Sequence, residues 1–210
     1  MSLLSRFFGR KGSPPSPPVT AADGPHADLA DFIRRQVAAG FADEGVILTD
    51  AVEVFADDIE PGVLRREAQR LLREAIGDHA RAQGTWTQRT DCDRLDEAFA
   101  ALEADGIVAR QHFTCCNTCG SSEIWDEIAS VRDAGGTVRG YAFYHVQDTD
   151  RAVDGDGLYL GYGATEEGEA AALAVAHDIV AELARQGLRT SWTGSWDQRI
   201  AVTLDWHRRR

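Results

Sequence analysis

The chain has 210 residues, 43% of them hydrophobic, and a formal net charge of −12. That is ordinary content for a core that needs no disulfide support, and an acidic balance that argues against non-specific binding to nucleic acid, whose phosphates would be repelled. Four cysteines, three of them within residues 115–119, do not form a secreted disulfide framework, because adjacent Cys115 and Cys116 would make a strained pair; the expected compartment is reducing, hence cytoplasmic.

The first eleven residues, MSLLSRFFGRK, carry Arg6, Arg10 and Lys11 and no acid. Lys11 is the one lysine of the chain, and the preference for arginine elsewhere is read as genome composition rather than chemistry. Leu3, Leu4, Phe7 and Phe8 recur at helical spacing, which allows a weak membrane contact, but the stretch is too short to span a bilayer. Prolines 14, 15, 17 and 18 follow in a semi-rigid linker. Residues 1–27 are therefore expected to be a disordered basic and proline-rich tail, and residues 28–210 a single α+β domain with a helical part, 28–85, and a sheet part, 90–210.

In the helical part, Asp28 can cap a helix with Leu29, Phe32, Ile33 and Val37 on one face. A second helix is expected over 44–56, with Ile47, Ala51, Val54 and Phe55 inward. Pro61 suits the first turn of a third, whose stripe is Leu64, Ala68, Leu71, Leu72, Ala75 and Ile76. Thr90 and Asp93 form a variant capping box for a fourth, with Cys92, Leu95, Phe99 and Leu102 buried and Gly106 as its stop.

The period then changes. Residues 107–113 read as a strand, and Ser121 or Ser122 as the cap of a helix to Asp133. Residues 141–146 and 158–162 read as strands separated by the turn-rich DTDRAVDGDG. A strong helix is expected over 167–186, then a hairpin of 188–192 and 199–204. Strand, helix, strand, strand, helix, strand is the order of a ferredoxin-like split βαβ fold. It predicts an antiparallel sheet with an extra C-terminal strand and the N-terminal helices packed on it. Such a fold hosts many functions and selects none.

The phrase HFTCCNTCG, residues 112–120, is the candidate site. Cys116-Asn-Thr-Cys119-Gly120 has the form of half a zinc knuckle, and Cys115 and His112 are the nearest further ligands. The expected metal set is therefore Cys115, Cys116, Cys119 and His112, with zinc as the cofactor. A redox pair of Cys116 and Cys119 at a helix start is the second reading. Packing of inert thiols is the third, and it is the expected role of Cys92.

Other candidates are weaker. His145 is expected on a strand beside Tyr141 and Phe143, and His177 at a helix surface. Asp148, Asp150, Asp154 and Asp156 miss the EF-hand pattern. Gly161 and Gly163 precede a helix without completing a phosphate loop. Trp192, Trp196 and Trp206 are expected to pack, and the final His-Arg-Arg-Arg to fray.

The phrases GIVARQHFTCCNTCGSSEI and GYAFYHVQDTDRAVDGDGLYLGYGA resemble an uncharacterised bacterial family, the domain of unknown function numbered sixty-eight ninety-one. The resemblance covers residue 28 to the C-terminus and implies one domain with no assigned activity. The functional expectation is a module that binds a protein or small molecule, with a structural or metal-stabilised cysteine loop. A thiol- or metal-dependent enzyme using Cys116 and Cys119 is the alternative, weakened by the lack of an evident general base.

Overall fold

The structure is a computed structural model that describes residues 24–210; residues 1–23 of the basic tail expected over 1–27 lie outside the described residues. The folded part starts slightly before the expected boundary, because Pro25 opens helix α1 (Pro25–Ala39). Helices α2 (Glu44–Val54) and α3 (Pro61–Gln83) follow. Their starts are fixed locally. The Asp43 carboxylate accepts the Val46 N–H at 2.9 Å, and Glu60 accepts those of Gly62 and Val63 at 3.0 and 2.8 Å. Leu29, Ile33, Ile47, Ala51, Leu64, Ala68 and Leu72 close a core belonging to these three helices alone. Val54, expected inside, is 56% exposed. The helix ends there, and Phe55 turns inward in its place.

The expected capping box of α4 (Asp91–Ala104) is present in both directions. Thr90 N–H donates to Asp93 Oδ2 at 2.7 Å, and Asp93 N–H to Thr90 Oγ1 at 3.2 Å. Then come β1 (Ile107–Arg110), α5 (Asn117–Asp133), β2 (Gly140–Phe143), α6 (Val146–Val153), β3 (Leu158–Ala164), α7 (Glu169–Arg185), β4 (Arg189–Ser191) and β5 (Ile200–Thr203). The fold class is α+β.

The sheet order is β1-β2-β3-β5-β4, with β1 and β2 parallel and every other pair antiparallel. This corrects the expected split βαβ arrangement and its wholly antiparallel sheet. The 17-residue α5 carries the chain back along the sheet, so β2 pairs parallel with the strand just before it. Helix α6 also occupies the segment expected to be only a turn.

The two faces of the sheet are covered unequally. On one, α4 and α7 bury Leu95, Phe99, Val175, Ile179 and Leu183 against Leu158, Leu160, Ile200 and Val202. On the other, α5 buries Ile124 and Ile128 against Val108 and Phe143. Among the described residues that second face is only sparsely covered over β3, β5 and β4, where α6 sends Arg151 over the Tyr159 ring. Tyr159 and Ala201 there are half-buried, and Arg189, Ser191 and Thr203 are exposed.

The C-terminal arginines do not fray. Trp206 Nε1–H donates to Ala38 O at 3.0 Å, and Arg210 to Ala42 O at 2.7 Å. Arg208 donates to Asp96 and Gln111 at 2.7 and 2.9 Å and lies over the Phe41 ring, 4.3 Å from its centroid. The segment after β5 is thus a strap that joins the helical part to the sheet part. No helix among the described residues is long and apolar enough to cross a membrane.

Candidate metal centre

The loop from β1 to α5 is bent at two non-glycine positions, His112 (φ 50°) and Thr114 (φ 58°). A left-handed backbone is costly for such residues and persists only where neighbours hold it. Here Phe113 N–H donates to Tyr144 O at 2.8 Å, and Val146 N–H to Thr114 O at 3.1 Å. The loop is pinned between the end of β2 and the start of α6.

Helix α5 begins five or six residues earlier than the serine caps suggested. Cys116 is its N-cap, and Cys119 lies in its first turn. Gly120 is helical rather than left-handed, so it does not turn the backbone around a metal as in a knuckle. A Cβ there would stand 2.4 Å from Phe143 Cε2. Glycine is needed because the helix rests on that ring.

The three sulfurs converge. The Sγ atoms of Cys115, Cys116 and Cys119 all lie within 4.8 Å of one another, and Cys115 and Cys119 are 3.5 Å apart. The three form a group positioned to bind a metal ion. Cys116 closes no side-chain cap hydrogen bond. The nearby Cys119 N–H still holds its thiol below the usual value, helped by the other two sulfurs. Cys119 is pushed up to about 12 by Cys115 and Cys116. Hydrogen bonding to the neighbouring sulfurs, and then their charge, thus resists ionisation of Cys119, and a bound cation would favour its thiolate.

His112 stands outside this group. Its ring stacks on Phe41, with centroids 4.4 Å apart, and Nδ1 lies 2.8 Å from Thr149 Oγ1. Burial, with Arg208 nearby, lowers its pKa to about 4. Cys92 also lies elsewhere, 1% exposed in α4, with its thiol pushed up to about 12 by burial. Its expected packing role fits this placement.

His145 is the N-cap of α6, not a strand residue. The sequence missed this because histidine is an unusual cap, although His145 and Asp148 have capping-box spacing. Asp148 is 1% exposed. It lies 3.0 Å from His145 Nε2 and accepts a hydrogen bond of 3.0 Å from Arg199 Nη1. Burial lowers the His145 pKa, against the pull of Asp148. Asp148 and Asp150 lie within this helix, Asp154 is its C-cap and Asp156 follows it.

A groove runs from the first turn of α5 along the sparsely covered face. Asn117, Ser121 and Trp125 follow at four-residue spacing, so they share one side of α5. Asn117 and Ser121 line a narrow part of about 130 Å³ with Tyr141, Phe143 and Arg199. Trp125, Tyr141, Trp196 and Glu166, Glu167 and Glu169 line a wider part of about 750 Å³. Gly161 and Gly163 explain its floor. They pair across the strands with Phe143 and Tyr141, and a Cβ on Gly163 would stand 2.5 Å from Tyr141 Oη. These glycines make room for rings, not phosphate. Trp192 and Trp206 pack as expected, but Trp196 is 59% exposed.

A family model described as "Domain of unknown function (DUF6891)" matches residues 23–210. No curated protein and no solved structure matches the chain.

Proposed function

The chain belongs to the DUF6891 family, a domain of unknown function, and from that premise we propose that it is a binding module whose cysteine loop is set by a bound zinc ion. The observation that carries this reading is the convergence of the three cysteine sulfurs. Tetrahedral zinc holds thiolates at about 2.3 Å, which separates its sulfurs by roughly 3.8 Å. The 3.5 Å between Cys115 and Cys119 is already near that spacing. Thiolates favour zinc over the oxygen-seeking cations.

Zinc would tie the pinned loop to the first turn of α5 and so fix the helix that walls the groove. Three protein thiolates leave a fourth position for solvent or for a group of a bound partner. His112, held by Thr149 and Phe41, is not turned to that position without breaking both contacts. The partner is a protein or small molecule rather than nucleic acid, in keeping with the charge of −12. The thiols must stay reduced, which fits the cytoplasm. The short Cys115–Cys119 separation also favours one rival, a dithiol couple in an enzyme, with Cys115 rather than the expected Cys116 as the partner of Cys119.

Protein purified without chelator, under reductant, decides between them. The expected result is one zinc per chain by elemental analysis, with Cys115, Cys116 and Cys119 shielded from a thiol reagent. Removing the metal should expose all three, while Cys92 reacts only after unfolding. Zinc uptake should release protons and tighten as pH rises, because bound sulfur must be thiolate. Reduced protein that takes up no zinc and cycles a Cys115–Cys119 disulfide would overturn the metal reading.

A further inference from the structure

We propose that the wide part of the groove receives a basic peptide segment of a partner protein, with an arginine or lysine side chain seated on its aromatic wall. The inference rests on the reading of this domain as a binding module, but not on the metal.

Three features of the groove carry it. First, Trp125 and Trp196 are 46% and 59% exposed, and both face the same opening. Large rings left in water at one place mark a contact surface. Trp125 is oriented by an edge-on contact with Tyr141, at 5.9 Å between centroids. Second, the rim carries Glu166, Glu167 and Glu169, and no arginine or lysine lines this part. None of the three glutamates is in an ion pair among the described residues. Aromatic faces beside carboxylates recognise a guanidinium or ammonium group, since both attract a cation. Third, the groove is open, and its strand edge and turn are fixed. Tyr162 Oη–H and Trp192 Nε1–H both donate to Ser195 O at 3.1 Å, which holds the turn carrying Trp196. A preformed open channel of about 750 Å³ suits a segment of chain better than a buried small molecule.

The narrow part gives the segment a direction. Asn117 and Ser121 offer hydrogen-bonding groups, whereas Arg199 is already paired with buried Asp148. The cationic side chain therefore belongs at the glutamate end, with the peptide backbone running toward Asn117 and Ser121.

The test is calorimetric titration of the full chain, at measured zinc content, with acetyl-Gly-Arg-Gly-Phe-Arg-Gly-amide. Controls are the same peptide with citrulline for arginine and with glutamate for arginine. The arginine peptide should bind, the citrulline peptide about tenfold more weakly, and the glutamate peptide not at all. Glu166→Gln with Glu169→Gln, and separately Trp196→Ala, should each weaken the arginine peptide several-fold. All three positions are on the surface, so circular dichroism should be unchanged. Equal binding of the arginine and citrulline peptides would overturn the proposal, as would no heat at millimolar peptide or no effect of either variant. Because zinc content is measured separately, loss of peptide binding in zinc-loaded protein counts against this proposal alone.

Discussion

The two faces of the sheet have been built for different ends. The face under α4 and α7 is dry and continuous, and its strands present Leu158, Leu160, Ile200 and Val202 to two helices. The other face has one helix, a small core around Phe143, and an open stretch over β3, β5 and β4. The cysteines divide the same way. Cys92 is sealed in α4 with a thiol pushed up to about 12, whereas the convergent three sit at the exposed end of α5. The larger apolar core lies on the first face, and the cysteine group and the aromatic groove lie on the side of the second.

The contrast can be broken most forcefully in the covered core. Leu160→Ala should lower the unfolding free energy by about 2–5 kcal/mol, by loss of buried surface and a cavity. Thr203→Ala, on the open face of the neighbouring strand, should stay within about 0.5 kcal/mol. Urea unfolding of both variants measures the difference, and equal losses would mean the faces are not so divided.

A smaller effect comes from the sparse face where it does pack. Gly120→Ala places a methyl group against Phe143 and should cost about 1–3 kcal/mol through overpacking. It should also weaken zinc uptake, because α5 must shift to relieve the clash. Full stability in this variant would show that the helix is not seated on that ring.

A third effect concerns acid. Folding lowers the His112 pKa from its ordinary 6.5 to about 4, so the unfolded chain binds the extra proton between those values. Stability held above pH 6.5 should therefore decline as pH falls toward 4. His112→Asn, which tolerates the left-handed backbone, should flatten that decline. It should not abolish it, since His79 and His145 are shifted in the same direction.

Much of this was legible in the sequence where the physics is local. The Thr90–Asp93 cap, the apolar stripes of α1 and α3 and the final hairpin follow from spacing alone. So does the proximity of Cys116 and Cys119 within one helical turn. Strand partnership was not legible, because a helical crossover such as α5 can return the chain beside β1 or one strand further along, and local spacing does not choose. Helix α6 was hidden by acids that look like a turn, with a histidine in place of the usual cap. The groove needed the structure outright. Trp125 and Trp196 are 71 residues apart in sequence, and the glycines beneath the rings resembled punctuation until the rings were placed.

The strap after β5 bears on a feature of composition that had seemed accidental. Lys11 is alone among the chain's bases in being a lysine. At position 208, at least, genome bias is not the whole reason. A flat fork there lies on the Phe41 ring while its edge reaches Asp96 and Gln111. A lysine's single ammonium is a point of charge and cannot be a plate and a two-pronged donor at once. Exchanging arginine for lysine at this joint, conservative on paper, would loosen one half of the protein from the other and leave Trp206 and Arg210 to hold the strap.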